Sequence, residues 1–277
     1  MNIQTALLQG QQLLDDARVA APRLTAEVLL AHAVGRDRSW LYAHSDEELR
    51  EVWWIHYGRY LHERIKGKPT QYITGRQEFY GREFRVTPDV LIPRPETEHS
   101  VEAAHAIGGK QILDIGTGSG AIGITLSLEM QSRVTCADIS DAAVRVAASN
   151  AKRLGSSARF VVCDLGSAFA SRSFDLVVSN PPYVPLDGIE NIQREVREHE
   201  PAVALFGGPD GLDIYRRLIP DAARLLRPGG HLVMEIGYLA AERVGAILGS
   251  KESGEWKSVE IKPDLAGLPR VVIARLP

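Results

Sequence analysis

The sequence predicts an α/β fold: a mostly parallel sheet of seven strands, with a small helical domain in front of it and a β-hairpin linker between. Three observations carry that prediction. Beyond residue 110, short apolar runs alternate with helix-length segments, the pattern of strand–helix–strand units. A glycine-rich turn, Gly116-Thr117-Gly118-Ser119-Gly120, follows the first of those runs directly. Residues 1–68, by contrast, carry apolar residues at helical spacing.

In the helical part, Ile3, Leu7, Leu8 and Leu14 make one stripe, and Leu24, Val28 and Leu29 begin another after Pro22. Ser45 followed by Glu48 reads as a capping box for a long helix through Trp53, Tyr57, Leu61 and Ile65, ended by Gly67 and Pro69. The aromatic face Trp53, Trp54, Tyr57 and Tyr60 reads as packing within a small bundle, and the domain suits protein docking. Residues 69–92 read as the linker, with Phe79-Tyr80-Gly81-Arg82-Glu83-Phe84 alternating around its glycine. Pro93-Arg94-Pro95-Glu96-Thr97-Glu98 is a stiff lead-in to a helix. Its acids suit the helix dipole, and it could equally border a cofactor pocket.

Residues 93–277 form the main domain. Strands are predicted at 111–115, 134–137, 160–163, 174–178, 231–236, 256–261 and 270–274. Helices are expected from Gly120 through Met130 and over 142–154, 211–226 and 240–248, the third stopped by Pro228-Gly229-Gly230. Residues 187–204 read as a long polar loop or broken helix.

The chain of 277 residues is 44% hydrophobic and 24% charged, ordinary for a globular protein with a real core. Its net charge of -3 supplies no broad basic footprint for nucleic acid. Cys136 and Cys163 lie in apolar, strand-like runs, which favours core thiols in a reducing compartment. No basic, apolar leader is seen at the start and no run reaches membrane-spanning length, so a cytoplasmic protein without a membrane partner is expected. Neither Cys nor His shows metal-ligand spacing, and no metal is expected.

The chemistry concentrates at strand ends. Asn180-Pro181-Pro182-Tyr183 follows the apolar run at 174–178, where open α/β sheets bind ligands. An amino group on an sp2 carbon is a poor nucleophile and must be held in line with its donor. The Asn180 side-chain oxygen can accept one N–H and a backbone carbonyl the other. Pro181 and Pro182 have no N–H and a fixed φ, so the carbonyls of Asn180 and Pro181 are free and rigidly aimed. Tyr183 offers a flat face for a planar acceptor. Upstream, Gly116 to Gly120 lets backbone approach a ligand closely. Asp138, ending the next strand, can accept from two ribose hydroxyls, and Asp164, ending the third, from an adenine amino group.

This glycine turn also fits the dinucleotide fingerprint Gly116-x-Gly118-x-x-Ala121, so a nicotinamide or flavin oxidoreductase is a rival. Asp114, an acidic edge suited to a sulfonium and an amino acid tail, favours S-adenosylmethionine instead. So does the clamp at Asn180, which has no role in hydride transfer. Methyl transfer to an amide nitrogen is the reading adopted. An adenine-N6 or guanine-N2 nucleic-acid methyltransferase is the alternative, and a non-catalytic docking protein a further rival.

Several blocks together resemble the bacterial peptide chain release factor N5-glutamine methyltransferases. These are Gly67 to Gly75, Phe79-Tyr80-Gly81, Val90 to Glu98, Asp114 to Gly120 and Asn180 to Tyr183. Glu200-Pro201, Gly207 to Asp213, Glu235-Ile236-Gly237 and Asp264 to Gly267 extend the likeness over nearly the whole chain. The resemblance implies a seven-stranded, Rossmann-like methyltransferase domain using S-adenosylmethionine. Its implied substrate is the Gln of the Gly-Gly-Gln motif of class I release factors. It implies that Gly116, Thr117, Gly118, Ser119 and Gly120 hold the methionine part and adjoining ribose, with Asp138 on the ribose hydroxyls. Asp164 and Leu165 would border the adenine, although Leu165 stands where relatives can carry an aromatic residue. Asn180 would bind the Gln amide and touch the cofactor, with Pro181, Pro182 and Tyr183 completing the pocket. A monomer with no stable nucleic-acid partner is expected.

Overall fold

The computed structural model describes residues 1–187 and 189–277; position 188, within the stretch read as a polar loop, lies outside them. The chain divides into two compact units. One comprises Met1–Arg76 with Gln193–His199, the other Gln77–Ile192 with Glu200–Pro277.

The first unit is helical: α1 (Ile3–Asp16), α2 (Pro22–Val34), α3 (Arg38–Ala43), α4 (Glu51–Ile65) and α5 (Thr70–Thr74). Ile3, Leu14, Leu29, Leu30, Leu41 and Tyr57 are its buried centre, with Trp53, Trp54 and Tyr60 packed around them. Asn2 caps α1, its side chain accepting from Thr5 N at 2.9 Å. The stripe on α1 is Ile3, Ala6, Gly10 and Leu14, whereas Leu8 and Leu24 are exposed. The capping box expected at Ser45 does not form. Ser45 and Glu47 carbonyls accept from Gln4 N and Ile3 N, and Leu49 N donates to Met1 O, so this stretch is extended against the chain start. Helix α4 begins later, after Arg50, with no side-chain cap. The stretch read as hairpin opens with α5, and its strands are β1 (Arg76–Phe79) and β2 (Arg82–Arg85).

The second unit continues with α6 (Glu98–Ile107), β3 (Gln111–Ile115), α7 (Ala121–Glu129), β4 (Arg133–Asp138), α8 (Asp141–Leu154), β5 (Arg159–Val162) and β6 (Phe174–Ser179). After α9 (Arg194–His199), which belongs to the first unit, come α10 (Ala202–Leu205), α11 (Asp213–Leu225), β7 (Leu226–Glu235), α12 (Ala241–Leu248), β8 (Ser258–Pro263) and β9 (Pro269–Arg275). The large sheet has seven strands in the order β5-β4-β3-β6-β7-β9-β8. Strands β3 to β7 pair in parallel, and β9 pairs antiparallel with both β7 and β8.

Strand residues alternate between two cores, as the two-residue period of a strand requires. Leu113, Ile115, Val177, Leu232 and Met234 join Leu218 and Ile219 of α11 and Val244 of α12. Ile112, Leu176, Val178 and Val233 join Val101 of α6 and Ile124 of α7. Pro228-Gly229-Gly230, expected to precede the fifth strand, lies inside β7. Leu226 already pairs with Phe174, and the register shifts before Leu176 pairs with His231, a bulge that tolerates a residue without an N–H. The strand order reverses between β3 and β6. A parallel sheet leaves a crevice at such a switch point, beyond the C-terminal ends of those strands.

Candidate active site

The glycine turn leaves β3 and the Asn-Pro-Pro-Tyr segment leaves β6, so the topology sets them side by side. Ile115 and Ser179 are register partners, and Ser179 Oγ donates to Ile115 O at 2.7 Å. Between these ends opens a cavity lined by residues from several strand ends. Gly116, Gly118, Asp138, Asp164, Leu165, Asn180, Pro181 and Pro182 all line it.

The turn divides its residues between two jobs. Gly116 and Gly118 face the cavity, with φ of 74° and 55°, in the left-handed region where a side chain is strained. Thr117, Ser119 and Gly120, expected on the ligand, are buried and do not line the cavity. Thr117 Oγ1 instead donates to Asp114 Oδ2 at 2.6 Å, and Ser119 O accepts from Asn150 Nδ2 at 2.9 Å. Asn150 also exchanges hydrogen bonds with the backbone of Arg85, tying the turn to β2.

Asp114 is not the acidic edge that the sequence suggested. It is fully buried, and its Oδ2 accepts from Thr117 and from Gly123 N at 3.0 Å. Burial pushes its carboxyl up to about 7, against the pull of those two donors. The carboxylates at the cavity are Asp89, Asp138 and Asp164, of which Asp89 was not singled out in the sequence. Asp138 accepts from Gly118 N on Oδ2 and from Ser140 N on Oδ1, both at 2.9 Å. Each oxygen keeps a lone-pair direction for a ligand hydroxyl. One oxygen of Asp164 is engaged by Arg217 of α11 at 2.5 Å, and Arg217 itself lines the cavity. Leu165 has a φ of 48°, an uncommon conformation for its residue type, at the point where the chain turns along the wall. Val90, Leu91, Ile139 and Val203 supply apolar lining.

The acceptor end is built from side chains. Asn180 is half-buried, and its Nδ2 donates to Thr97 Oγ1 at 3.1 Å. Thr97 Oγ1 donates to Glu235 Oε2 at 2.7 Å. Tyr183 does not line the cavity; its ring lies against Gly237 and its hydroxyl is 3.4 Å from Glu235 Oε1. A stacking face for the acceptor is therefore not what Tyr183 offers here. Burial pushes both the Tyr183 phenol and the Glu235 carboxyl up, with Thr97 and Arg270 pulling the carboxyl back.

The loop at 205–211 buttresses the tetrapeptide. Val184 N donates to Leu205 O, Gly207 N to Val184 O and Leu186 N to Gly208 O. A Cβ at Gly207 would stand 2.6 Å from Pro182 O, and one at Gly211 would stand 2.4 Å from Tyr183 O. Glu200 ties the lead-in of α6 to the same region, accepting from Ile92 N at 3.2 Å and from Arg94 Nη2 at 2.5 Å. Thr97 and Glu235 lie within sequence blocks named above, but no individual role was expected of either. The signal for Glu235 was an acid closing an otherwise apolar strand, which needs a partner once buried.

Comparison with known proteins gives the family. Residues 5–75 match the PrmC N-terminal domain family and residues 99–196 the methyltransferase small domain family. A release factor glutamine methyltransferase from Koribacter versatilis is 43% identical over 100% of this chain and 99% of its own. The chain belongs to the release factor glutamine methyltransferase family. Relatives of the same name from Moorella thermoacetica and Bacillus subtilis are 41% and 39% identical, over 99% and 90% of this chain and 98% and 90% of theirs. Among solved structures, a methyltransferase from Pyrococcus furiosus aligns with a TM-score of 0.53 at 20% identity, over 71% of this chain and 89% of that one. The T. thermophilus 16S rRNA methyltransferase RsmC, in complex with AdoMet and guanosine, aligns with 0.53 at 21% identity, over 73% and 50%. These two likenesses show the fold of the methyltransferase unit. Among the described residues, no cluster of His, Cys, Asp and Glu could hold a metal ion, and no helix is long and apolar enough to cross a membrane.

Proposed function

We propose that this protein methylates the side-chain amide nitrogen (N5) of the Gln in the Gly-Gly-Gln motif of class I peptide chain release factors. The methyl donor is S-adenosylmethionine. One observation supports this above the others. Asn180 lines the cavity with its NH2 end already engaged by Thr97, which leaves its carbonyl end for a substrate N–H.

The residues present fit the donor. Glycine backbone at Gly116 and Gly118, the paired acceptor oxygens of Asp138 and the apolar wall suit an amino acid tail, a ribose and a purine in turn. Asp164 and Leu165 border the purine in this reading, and Thr117, Ser119 and Gly120 act from beneath by holding the turn. When bound, the donor supplies a methyl group on positively charged sulfur. Asn180 Oδ1 accepts one amide N–H and the Pro181 carbonyl accepts the other, so the flat NH2 is held for attack. Pro182 fixes that carbonyl and Tyr183 anchors the segment. Positioning then carries most of the rate, and the new secondary amide loses its extra proton to solvent.

The residues that line the cavity all belong to the second unit, and we assign the helical unit to docking of the release factor. The domain scheme is then a docking domain at 1–68, a linker at 69–92 and the catalytic domain at 93–277. We expect a cytoplasmic monomer with no stable nucleic-acid partner. The test is incubation of the protein with S-adenosylmethionine and either a purified release factor or ribosomal RNA and DNA. A mass gain of one methyl group on the factor alone is expected. Methylation of nucleic acid alone would overturn the assignment.

A further inference from the structure

An Asn side chain ends in a carbonyl and an NH2 of nearly equal size, exchanged by a half-turn. Only one of the two orientations of Asn180 suits a substrate NH2; the other sets N–H against N–H. The hydroxyl of Thr97 decides between them. A threonine hydroxyl has a single hydrogen. Thr97 gives it to Glu235 Oε2 at 2.7 Å, so only a lone pair faces Asn180, 3.1 Å away. A lone pair can meet the NH2 end and not the carbonyl end. Thr97 is 4% exposed and Glu235 1%, so these contacts are shielded from bulk solvent. The other carboxylate oxygen, Oε1, is the partner of the Tyr183 hydroxyl. Tyr215 donates to the Glu235 backbone carbonyl at 3.1 Å, and Arg270, close enough to act by charge, is paired with Asp264 at 3.0 Å.

We infer that Thr97 and Glu235 are positioning residues that fix the Asn180 amide with its carbonyl toward the substrate. Glu235 holds both ends of the tetrapeptide, Asn180 through Thr97 and Tyr183 directly. This rests on the reading of Asn180 as the residue that grips the substrate amide. It also gives Thr97, five residues into the lead-in at 93–98, a role beyond starting a helix.

The test compares Asn180→Ala, Thr97→Val, Thr97→Ser and Glu235→Gln in the full chain. Turnover on a release factor, donor affinity by calorimetry and the unfolding temperature are measured for each. Thr97→Val keeps the branched shape and removes the hydroxyl, and its kcat is expected to fall between about 10- and 100-fold with donor affinity within a few-fold. Thr97→Ser keeps the hydroxyl and is expected to recover most of the rate. Glu235→Gln can donate to Thr97, turning the Thr97 hydrogen toward Asn180, and is expected to lower kcat as Thr97→Val does. If Thr97→Val unfolds, the Ser and Gln variants decide. A Thr97→Val enzyme at wild-type kcat, beside an inactive Asn180→Ala, would overturn the relay and leave the Asn180 reading standing. Wild-type turnover by Asn180→Ala would overturn both. Loss of kcat in Thr97→Ser equal to that in Thr97→Val would mark a packing role and overturn the relay.

Discussion

The two walls of the cavity are made of different material. The wall beyond β3 is backbone: Gly116 and Gly118 face the cavity, whereas Thr117 and Ser119 are buried and do not line it. The wall beyond β6 is side chain: Asn180 is set by Thr97, Thr97 by Glu235, and Tyr183 by the same carboxylate. Each wall has one buried carboxylate behind it. Asp114 holds the turn through Thr117 and Gly123 N, with its Oδ1 lacking a hydrogen-bond partner among the described residues. Glu235 has a hydroxyl on each oxygen. In the proposed reaction the first wall binds the donor and the second aims the acceptor. A loop of backbone tolerates change beneath it, whereas a chain of single hydrogen bonds loses its direction when one link goes.

The largest effect follows at the aiming wall. Asn180→Ala is expected to lower turnover by more than about 100-fold while donor affinity stays within a few-fold. Equal loss of both, measured on one sample by assay and calorimetry, would erase the distinction between the walls. Next comes the binding wall. Asp138→Ala removes the acceptor pair and the anchors of Gly118 N and Ser140 N. Donor affinity is expected to weaken by about 1–3 kcal/mol, with less effect on kcat at saturating donor. Unchanged affinity by calorimetry would remove Asp138 from the site. Gly207→Ala sets a Cβ 2.6 Å from Pro182 O and from Gly211 O. It is expected to destabilise the fold by about 1–3 kcal/mol and to reduce kcat more than donor affinity. A variant with native unfolding temperature and native kcat would show that this loop does not brace the clamp.

The smallest effect on activity, and a clear one on stability, belongs to Asp114→Asn. The Asp114 carboxyl is raised from 3.8 to about 7, so the folded state binds its proton more tightly than the unfolded chain. Its contribution to stability is complete below 3.8 and is lost as pH rises through about 7. Asparagine can accept from Thr117 and Gly123 N without a charge to bury. The variant is expected to unfold at a higher temperature than the parent at about pH 8 and at a similar one at about pH 4. Parallel unfolding curves across that range would contradict the buried, protonatable carboxyl.

Much of the second unit was legible because period and punctuation agree there. The glycine turn, Asp138, Asp164 and Asn180 each end a strand, and strand ends in a parallel sheet converge whatever the intervening loops do. What stayed hidden depends on partners distant in sequence. Nothing local to Ser45 and Glu48 tells that residues 45–49 pair with the chain start and so cannot cap a helix. Asp114 is a different case: its partners Thr117 and Gly123 are near in sequence, but its burial depends on the strands and helices packed over β3. The Thr97–Glu235 contact spans 138 residues, and neither residue belongs to a motif that explains it alone. Tyr183 was assigned by its shape, but its position is set by Gly237 and Glu235, more than 50 residues on.

The most direct measurement is a crystal structure of the protein with S-adenosylhomocysteine and a peptide carrying Gly-Gly-Gln. The Gln amide nitrogen is predicted within hydrogen-bonding distance of Asn180 Oδ1 and the Pro181 carbonyl, with Asn180 Nδ2 still on Thr97. A Gln side chain lying outside the cavity, or an Asn180 amide turned with its NH2 toward the peptide, would contradict it.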